Sequence, residues 1–90
     1  MKFNRYHDPG HSWTKVPRKL LQKLGIEATI SACSYQRGNF VYLEEDGDLS
    51  KFYLALKAKN IPLAFKDFHT NKESKIRNYQ SFVPTPVPNP

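Results

Sequence analysis

Hydrophobic and polar residues alternate at the start of the chain, which predicts a short strand over residues 2–7. Pro9-Gly10 predicts a turn after this strand, because proline presets φ and glycine accepts a positive φ. Residues 13–16 are predicted to be extended, since the residue before Pro17 is disfavoured in the helical region. The chain therefore begins with a strand, a turn and a second extended segment.

Two apolar stripes at helical spacing predict two short amphipathic helices. The first helix is predicted over residues 17–24, with Gly25 placed to cap its end. The second is predicted over residues 49–59, with Asp48 as its N-cap. The stripes consist of Leu20, Leu21 and Leu24 in the first helix, and Leu49, Phe52, Tyr53 and Leu56 in the second.

The segment between the helices has the pattern of a β-hairpin. Apolar and polar residues alternate over residues 28–35, and a β-branched and aromatic run follows at residues 40–43. Residues 36–39 contain a glycine and an asparagine and form the predicted loop. We therefore expect a hairpin over residues 28–45.

The rest of the chain completes an α+β fold. Residues 61–68 alternate as a strand, and residues 75–82 predict a weaker final strand. Prolines at every second position predict a disordered tail over residues 84–90, outside a single domain of residues 1–83. This order predicts a small two-layer sandwich, a mostly antiparallel sheet of four or five strands with two short helices on one face.

The charge of the chain narrows the kind of partner. Its 14 Lys and Arg residues exceed its 8 Asp and Glu residues, and half of the acidic groups lie within residues 44–48. Such an excess of positive charge favours contact with nucleic acid or with acidic protein surfaces. Cys33 has no second cysteine to pair with and is predicted to be a small buried hydrophobe. We expect a soluble protein of the bacterial cytoplasm, because no apolar run is long enough to span a membrane.

Histidine and carboxylate side chains on both sides of the Pro9-Gly10 turn, with one histidine far along the chain, could bind a metal. Neutral imidazole and carboxylate both suit zinc, which takes three or four ligands. Asp-Pro-Gly-His at residues 8–11 and His-Thr-Asn at residues 69–71 resemble the zinc-binding signatures of the N-acetylmuramoyl-L-alanine amidases, which would imply one ligand from each. The candidate metal ligands are His7, Asp8, His11 and His69.

A purely structural role explains the same segment. Asp8 before Pro-Gly favours a turn closed by its own side chain, and His7 and His11 can hydrogen-bond the loop backbone. Trp13 can then lie across the small core and anchor the turn. We expect this structural role and no cofactor, with the metal site as the alternative.

The acidic run at residues 44–48 also has a catalytic and a structural interpretation. Clustered carboxylates bind Mg²⁺ or Ca²⁺ in some nucleases, but this run lacks the alternating spacing of a calcium loop. Carboxylates at a strand end before a helix instead favour the positive helix N-terminus. We therefore predict that this run joins a strand to a helix.

Basic and aromatic residues are mixed at the predicted hairpin loop and late in the chain. Lysine and arginine neutralise phosphates and exposed aromatic rings stack on bases, although the same residues are enriched in protein interfaces. The predicted partner-binding residues are Tyr35, Gln36, Arg37, Phe40, Lys66, Lys72, Lys75 and Arg77.

Several short motifs together resemble a group of small uncharacterised proteins encoded by bacteriophages and bacterial mobile elements. The motifs include His-Asp-Pro-Gly-His-Ser-Trp at residues 7–13, Tyr-Leu-Glu-Glu-Asp at residues 42–46 and Ile76-Arg77. The resemblance spans about residues 6–77. It implies a biological context and no catalytic residues.

From these observations we expect a non-enzymatic interaction protein that binds and inhibits a host defence or nucleic-acid-processing complex, as anti-CRISPR proteins do. Its partner would be a host protein or ribonucleoprotein. A basic nucleic-acid-binding module and a small metal-dependent hydrolase are the alternatives, and the sequence leaves the oligomeric state open.

Overall fold

The structure is a computed structural model that describes residues 1–86, and its helices and longer strands follow the predicted order. The strands are β1 (Lys2–His7), β2 (Ser12–Pro17), β3 (Tyr35–Arg37), β4 (Phe40–Glu44), β5 (Ala64–His69) and β6 (Gln80–Ser81). The helices are α1 (Arg18–Lys23) and α2 (Gly47–Ala58), with short 3₁₀ helices at Glu27–Thr29 and Lys75–Asn78.

Within residues 1–86 the strands form one sheet of six strands in the order β5-β1-β2-β4-β3-β6. Neighbouring strands are antiparallel except for β1 and β5, which are parallel. The α+β fold and the mostly antiparallel sheet are thus confirmed, with six strands where four or five were predicted. Neither helix in this part of the chain has the length and apolar composition needed to cross a membrane.

The main core lies between the sheet and the two helices. Phe3 of β1 packs edge-on against Phe52 of α2, with 5.2 Å between ring centroids. Side chains of β2 and β4 that point to the same side are fully buried against both helices. The buried residues of this core are Val16, Leu21, Ile30, Val41, Leu43, Phe52, Leu56 and Phe82.

The centre of the core also buries one hydroxyl without a partner. Thr14 of β2 is fully buried, and its Oγ1 has no hydrogen-bond partner among the described residues. An unpaired buried hydroxyl costs about 1–3 kcal/mol. Thr14→Val should therefore raise the free energy of unfolding by about 1 kcal/mol, seen as a melting temperature about 4–8 °C higher.

Thr29→Val serves as the control for this substitution. The exposed hydroxyl of Thr29 already donates to the carbonyl of Ile26 at 2.7 Å, so its removal should not stabilise the protein. An unchanged or lower melting temperature for Thr14→Val would contradict the prediction.

Residues 28–34 do not form the predicted strand. They contain the end of the first 3₁₀ helix and a turn, and the hairpin is shorter than expected, with β3 and β4 joined by the two residues Gly38 and Asn39. Gly38 has a φ of 57°, a conformation that favours glycine. Cys33, predicted to be buried in a strand, is exposed in the turn.

Asp48 explains why this segment leaves the sheet. Its carboxylate is buried and accepts hydrogen bonds from the amide and hydroxyl of Ser31 and from the hydroxyl of Ser34. Burial raises the pKa of Asp48, but hydrogen bonds from both serines and from Lys51 outweigh it, so the pKa lies below its ordinary value. Asp48 therefore joins this turn to α2 and is not the helix N-cap.

The rest of the acidic run forms the start of α2, as its structural interpretation predicts. Residue Asp46 occupies the N-cap but makes no side-chain cap hydrogen bond. Glu44 instead accepts hydrogen bonds from the amides of Asp46 and Asp48, at 2.9 and 2.8 Å. The negative charge of Glu44 thus lies beside the positive end of the helix.

The C-terminal part differs from the predicted strand over residues 75–82. Ser74 accepts a hydrogen bond from the amide of Ile76 and starts a 3₁₀ helix, which leaves only Gln80–Ser81 as strand. Thr85, inside the predicted tail, donates to the carboxylate of Glu27 at 2.8 Å. Residues 87–90 of that tail lie outside the described residues.

Candidate nucleic-acid interface

The side of the sheet opposite the helices, called the open face below, carries most of the aromatic and basic side chains of the strands. Side chains alternate along a strand, so the register of the sheet assigns each residue to one side. Phe3 of β1 points to the helices, and its neighbours Lys2 and Asn4 therefore point away. By the same register the open face contains Lys2, Asn4, Tyr6, Trp13, Lys15, Tyr35, Arg37, Phe40, Tyr42, Lys66 and Phe68.

A second hydrophobic cluster forms the floor of the open face. Trp13 and Tyr42 are buried there beneath Ile76, which the C-terminal segment brings across the sheet. The half-buried rings of Tyr35 and Tyr79 pack edge-on against Trp13 and Tyr42, at centroid distances of 6.2 and 5.1 Å. Burial, and then the neighbouring Tyr79 and Tyr6, raise the pKa of Tyr42, so its phenol stays neutral at physiological pH. Tyr42 therefore adds no negative charge to the open face.

The C-terminal segment is fixed over this cluster by an ion pair between Asp8 and Arg77. The Arg77 guanidinium donates to both carboxylate oxygens of Asp8, at 2.7 and 3.0 Å, and lies over the indole of Trp13. The Asp8 carboxylate also accepts from the amides of Gly10, His11 and Ser74. The Arg77 guanidinium lowers the pKa of Asp8 far below its usual range, and these amides add to the shift against the opposing effect of burial.

Gly10 leaves room for this ion pair. A Cβ on Gly10 would lie 3.0 Å from Nη2 of Arg77, so a larger residue would push the guanidinium back by a few tenths of an ångström. The Asp-Pro-Gly-His turn is thus closed by Asp8 and anchored beside Trp13, as the structural interpretation of this segment predicts.

Three exposed or half-exposed rings on the open face each have a cation over them. Lys15 lies 4.2 Å from the centroid of Phe40, and Lys66 lies 5.4 Å from that of Phe68. Arg37 lies 4.9 Å from the centroid of Tyr79. Phe40 and Phe68 expose 37% and 39% of their surface, which is enough for a further flat ring to contact them.

Positive charge dominates the open face. The strand register places one carboxylate there, on Glu44, and that carboxylate is held by amides at the start of α2. A groove of about 350 Å³ separates the sheet from the C-terminal segment and has Lys15, Arg37 and Lys75 in its lining. A polyanion lying in this groove would meet three cations.

The structure brings most of the predicted partner-binding residues to one side. Tyr35, Arg37, Phe40 and Lys66 lie on the open face, and Lys75 and Lys72 lie on the segment that borders it. Two residues have structural roles that compete with partner binding. Gln36 points to the helix side, where its side-chain Oε1 accepts hydrogen bonds from the Arg18 guanidinium and from the amide of Val83. Arg77 forms an ion pair with Asp8.

Four further residues of the open face were not among the predicted partner-binding residues: Lys2, Tyr6, Lys15 and Phe68. Period-two alternation was the signal for Phe68, which lies two positions after Lys66 on β5. The other three lie on β1 and β2, and they join the same face through the strand order.

The four candidate metal ligands are not brought together. Nδ1 of His11 lies 2.6 Å from Oε1 of Glu45, and Asp8 forms an ion pair with Arg77. His7 bonds Asp67 at 2.7 Å, and its ring stacks on that of His69 with 4.4 Å between centroids. Within residues 1–86 no group of three or more His, Cys, Asp or Glu side chains is arranged to bind a metal ion.

The two histidines of the turn bond carboxylates and not the loop backbone, which differs from the prediction. Hydrogen bonds from Arg5 and then from His7 lower the pKa of Asp67 below its usual range. Burial raises the pKa of Glu45, but the hydrogen bond from His11 contributes to a net value below normal. Both imidazoles therefore face ionised carboxylates at neutral pH.

A scan against protein-family models, a search of curated proteins and a search of solved structures found no match to this chain.

Proposed function

We propose that the open face binds single-stranded nucleic acid without catalysing a reaction. The observation that supports this function is the set of three cation–aromatic pairs on one side of one sheet, Lys15–Phe40, Arg37–Tyr79 and Lys66–Phe68. Single-stranded binding needs rings on which bases stack and cations that neutralise the phosphates between them. Each pair supplies one ring and one cation, close enough together to contact the base and the phosphate of a single nucleotide.

The spacing of the strands supports a site for several nucleotides. The four strand intervals from β5 to β3 span about 19 Å at about 4.8 Å each. Lys66 lies on β5 at one end of this span and Arg37 lies on β3 at the other. An unpaired nucleic-acid strand lying in the groove beside the C-terminal segment would thus meet Lys15 and Arg37, and would meet Lys66 at the β5 edge.

The expected role as an anti-CRISPR-like phage protein stays a prediction. A host defence complex contains nucleic acid as well as protein, so an open face of this kind would suit its nucleic-acid component. We therefore propose that such a protein would act through the open face.

The exposed rings test the proposal. Phe40→Leu and Phe68→Leu keep an apolar side chain but remove the flat surface on which a base stacks. Each should weaken binding of a single-stranded oligonucleotide about tenfold, since stacking contributes about 1–3 kcal/mol per base. Fluorescence anisotropy with a labelled strand measures the effect, and the matched duplex should bind more weakly.

Tyr53→Leu is the matched control. Tyr53 of α2 is 47% exposed, more than either phenylalanine, but lies on the helix layer. Its substitution should leave the affinity unchanged. Equal losses for all three variants, or no binding by the unaltered protein, would contradict the proposed function.

A further inference from the structure

A second cavity adjoins the open face where β1 and β5 end. It encloses about 360 Å³, within the range of small-ligand sites. One wall consists of Tyr6 and Phe68, whose rings are stacked at a centroid distance of 5.3 Å and an angle of 18°. The cavity shares Tyr6 and Lys75 with the groove on the open face, so one ligand can enter both.

The other side of the cavity carries nitrogen donors. Lys72 and Lys75 line it, and neither has an ion-pair partner within residues 1–86. His69 also lines the cavity, but its ring stacks on that of His7, and the strand register places both rings on the helix side of the sheet. The acidic residue of the lining, Glu73, is 79% exposed at its side chain and 3.9 Å from Arg77. The donors thus outnumber the carboxylates.

The loop that carries these donors is fixed at both ends. The amide of Thr70 donates to the carbonyl of His7 at 3.0 Å, and the amide of Lys72 donates to the hydroxyl of Thr70 at 3.2 Å. At the other end, the amide of Ser74 donates to Asp8 at 3.0 Å. The cavity is therefore formed before any ligand binds, which lowers the entropic cost of binding.

We infer that this cavity binds the terminal nucleotide of the strand through its phosphate monoester. The terminal base would stack on the wall formed by Tyr6 and Phe68, and the phosphate would meet Lys72 and Lys75. A phosphate monoester carries about −1.5 to −2 charges at pH 7, more than the single charge of an internal phosphodiester. Two lysines without an ion-pair partner beside one cavity suit that concentrated charge. This inference rests on the proposed function, since the rest of the strand would cross the open face.

Oligonucleotides with a 5′-phosphate, a 3′-phosphate or two free hydroxyl ends test the inference. One phosphorylated form should bind about tenfold more tightly than the hydroxyl form, because hydrogen bonds to a charged group are the stronger ones. Lys72→Gln combined with Lys75→Gln should abolish this preference, measured as the ratio of the affinities for the phosphorylated and hydroxyl forms. Lys19→Gln combined with Lys23→Gln, in α1, should keep the preference.

A second measurement separates this inference from the proposed function. Amide shifts of residues 69–75 are followed by NMR during titration with a nucleoside 5′-monophosphate, a nucleoside 3′-monophosphate, the nucleoside and inorganic phosphate. A larger response to one of the nucleotides than to the nucleoside or to inorganic phosphate supports the cavity even if no strand binds the open face. Equal affinity for all three oligonucleotides, together with no response to either nucleotide, would overturn the inference. Binding of the hydroxyl strand would then still support the open face alone.

Discussion

Asp8→Asn is expected to lower the melting temperature by about 10 °C or more. The substitution removes the buried charge that Arg77 pairs with and leaves the guanidinium over Trp13 with the exposed Glu73, 3.9 Å away, as its counter-ion. The Asp8 side chain is 1% exposed, so water replaces little of what is lost. The expected result is a protein whose C-terminal segment no longer stays on the open face, measured by thermal unfolding and by the fluorescence of Trp13.

Variants at the same site separate the ion pair from the turn. Asp8→Asn keeps an oxygen that can accept from the amides of Gly10 and His11, whereas Asp8→Ala removes it and should lower the melting temperature further. Asp46→Asn is the control, because the exposed Asp46 makes no side-chain cap hydrogen bond. A melting temperature of Asp8→Asn within about 2 °C of the unaltered protein would contradict the predicted importance of the ion pair.

The pH dependence of stability provides an independent readout of the same ion pair. The pKa of Asp8 in the folded protein lies far below its value of about 3.9 in an unfolded chain. As the pH falls below about 4, the unfolded chain therefore binds more protons than the folded one, and the free energy of unfolding decreases. Asp8→Asn lacks this contribution, so the difference in stability between it and the unaltered protein should narrow towards pH 2.

Four strands of this fold lie over most of a predicted segment. Alternation predicts β1 and β5, a β-branched and aromatic run predicts β4, and the extended bias before Pro17 predicts β2. Residues 28–34 alternate as well, but apart from Ile30 their side chains are small and bury little surface as a strand. Hydrogen bonds from Ser31 and Ser34 to Asp48 determine the conformation of that segment instead. These bonds join residues that are 17 and 14 positions apart, so a local pattern of apolar and polar residues does not predict them.

The centre of the candidate site depends on still longer-range contacts. Asp8 and Arg77 are separated by 69 positions, and both belong to motifs that the sequence analysis selected for other roles. By residue type, Asp8 was a candidate metal ligand and Arg77 a candidate partner-binding residue. In the structure they form one ion pair instead, because a buried carboxylate needs a cation nearby.

The open face was predictable in composition but not in extent. The aromatic and basic mixture near Arg37 and Lys66 was visible in the sequence, whereas its continuity across β1 and β2 depends on strand order. Parallel pairing of β1 with β5 places Lys66 next to Asn4, 62 positions away. Which side the helices cover is decided by core packing, and this leaves Lys15 on the same side as Arg37.

Combined removal of charge from the open face is expected to abolish most nucleic-acid binding. Lys15→Gln, Arg37→Gln and Lys66→Gln together remove the cation from each of the three cation–aromatic pairs. The affinity for a single strand should fall about 100-fold at 0.1 M salt, an order-of-magnitude figure for three phosphate contacts. The slope of log affinity against log salt should decrease by about 2, because each contact with a single strand contributes about 0.7.

The matched control is Lys19→Gln, Lys23→Gln and Lys59→Gln. These lysines are exposed on or beside the helices, and the combination removes the same three positive charges from a chain of formal net charge +6. If binding depended only on net charge, both triple variants would lose affinity equally and have the same salt slope. The expected outcome is a loss of affinity in the open-face variant alone, with both variants melting near the temperature of the unaltered protein. This outcome would show that binding depends on the position of the three cations and not on net charge. That outcome would locate the phosphates of the bound strand beside the rings of Phe40, Phe68 and Tyr79, because a base stacks within one nucleotide of the phosphate that its cation neutralises.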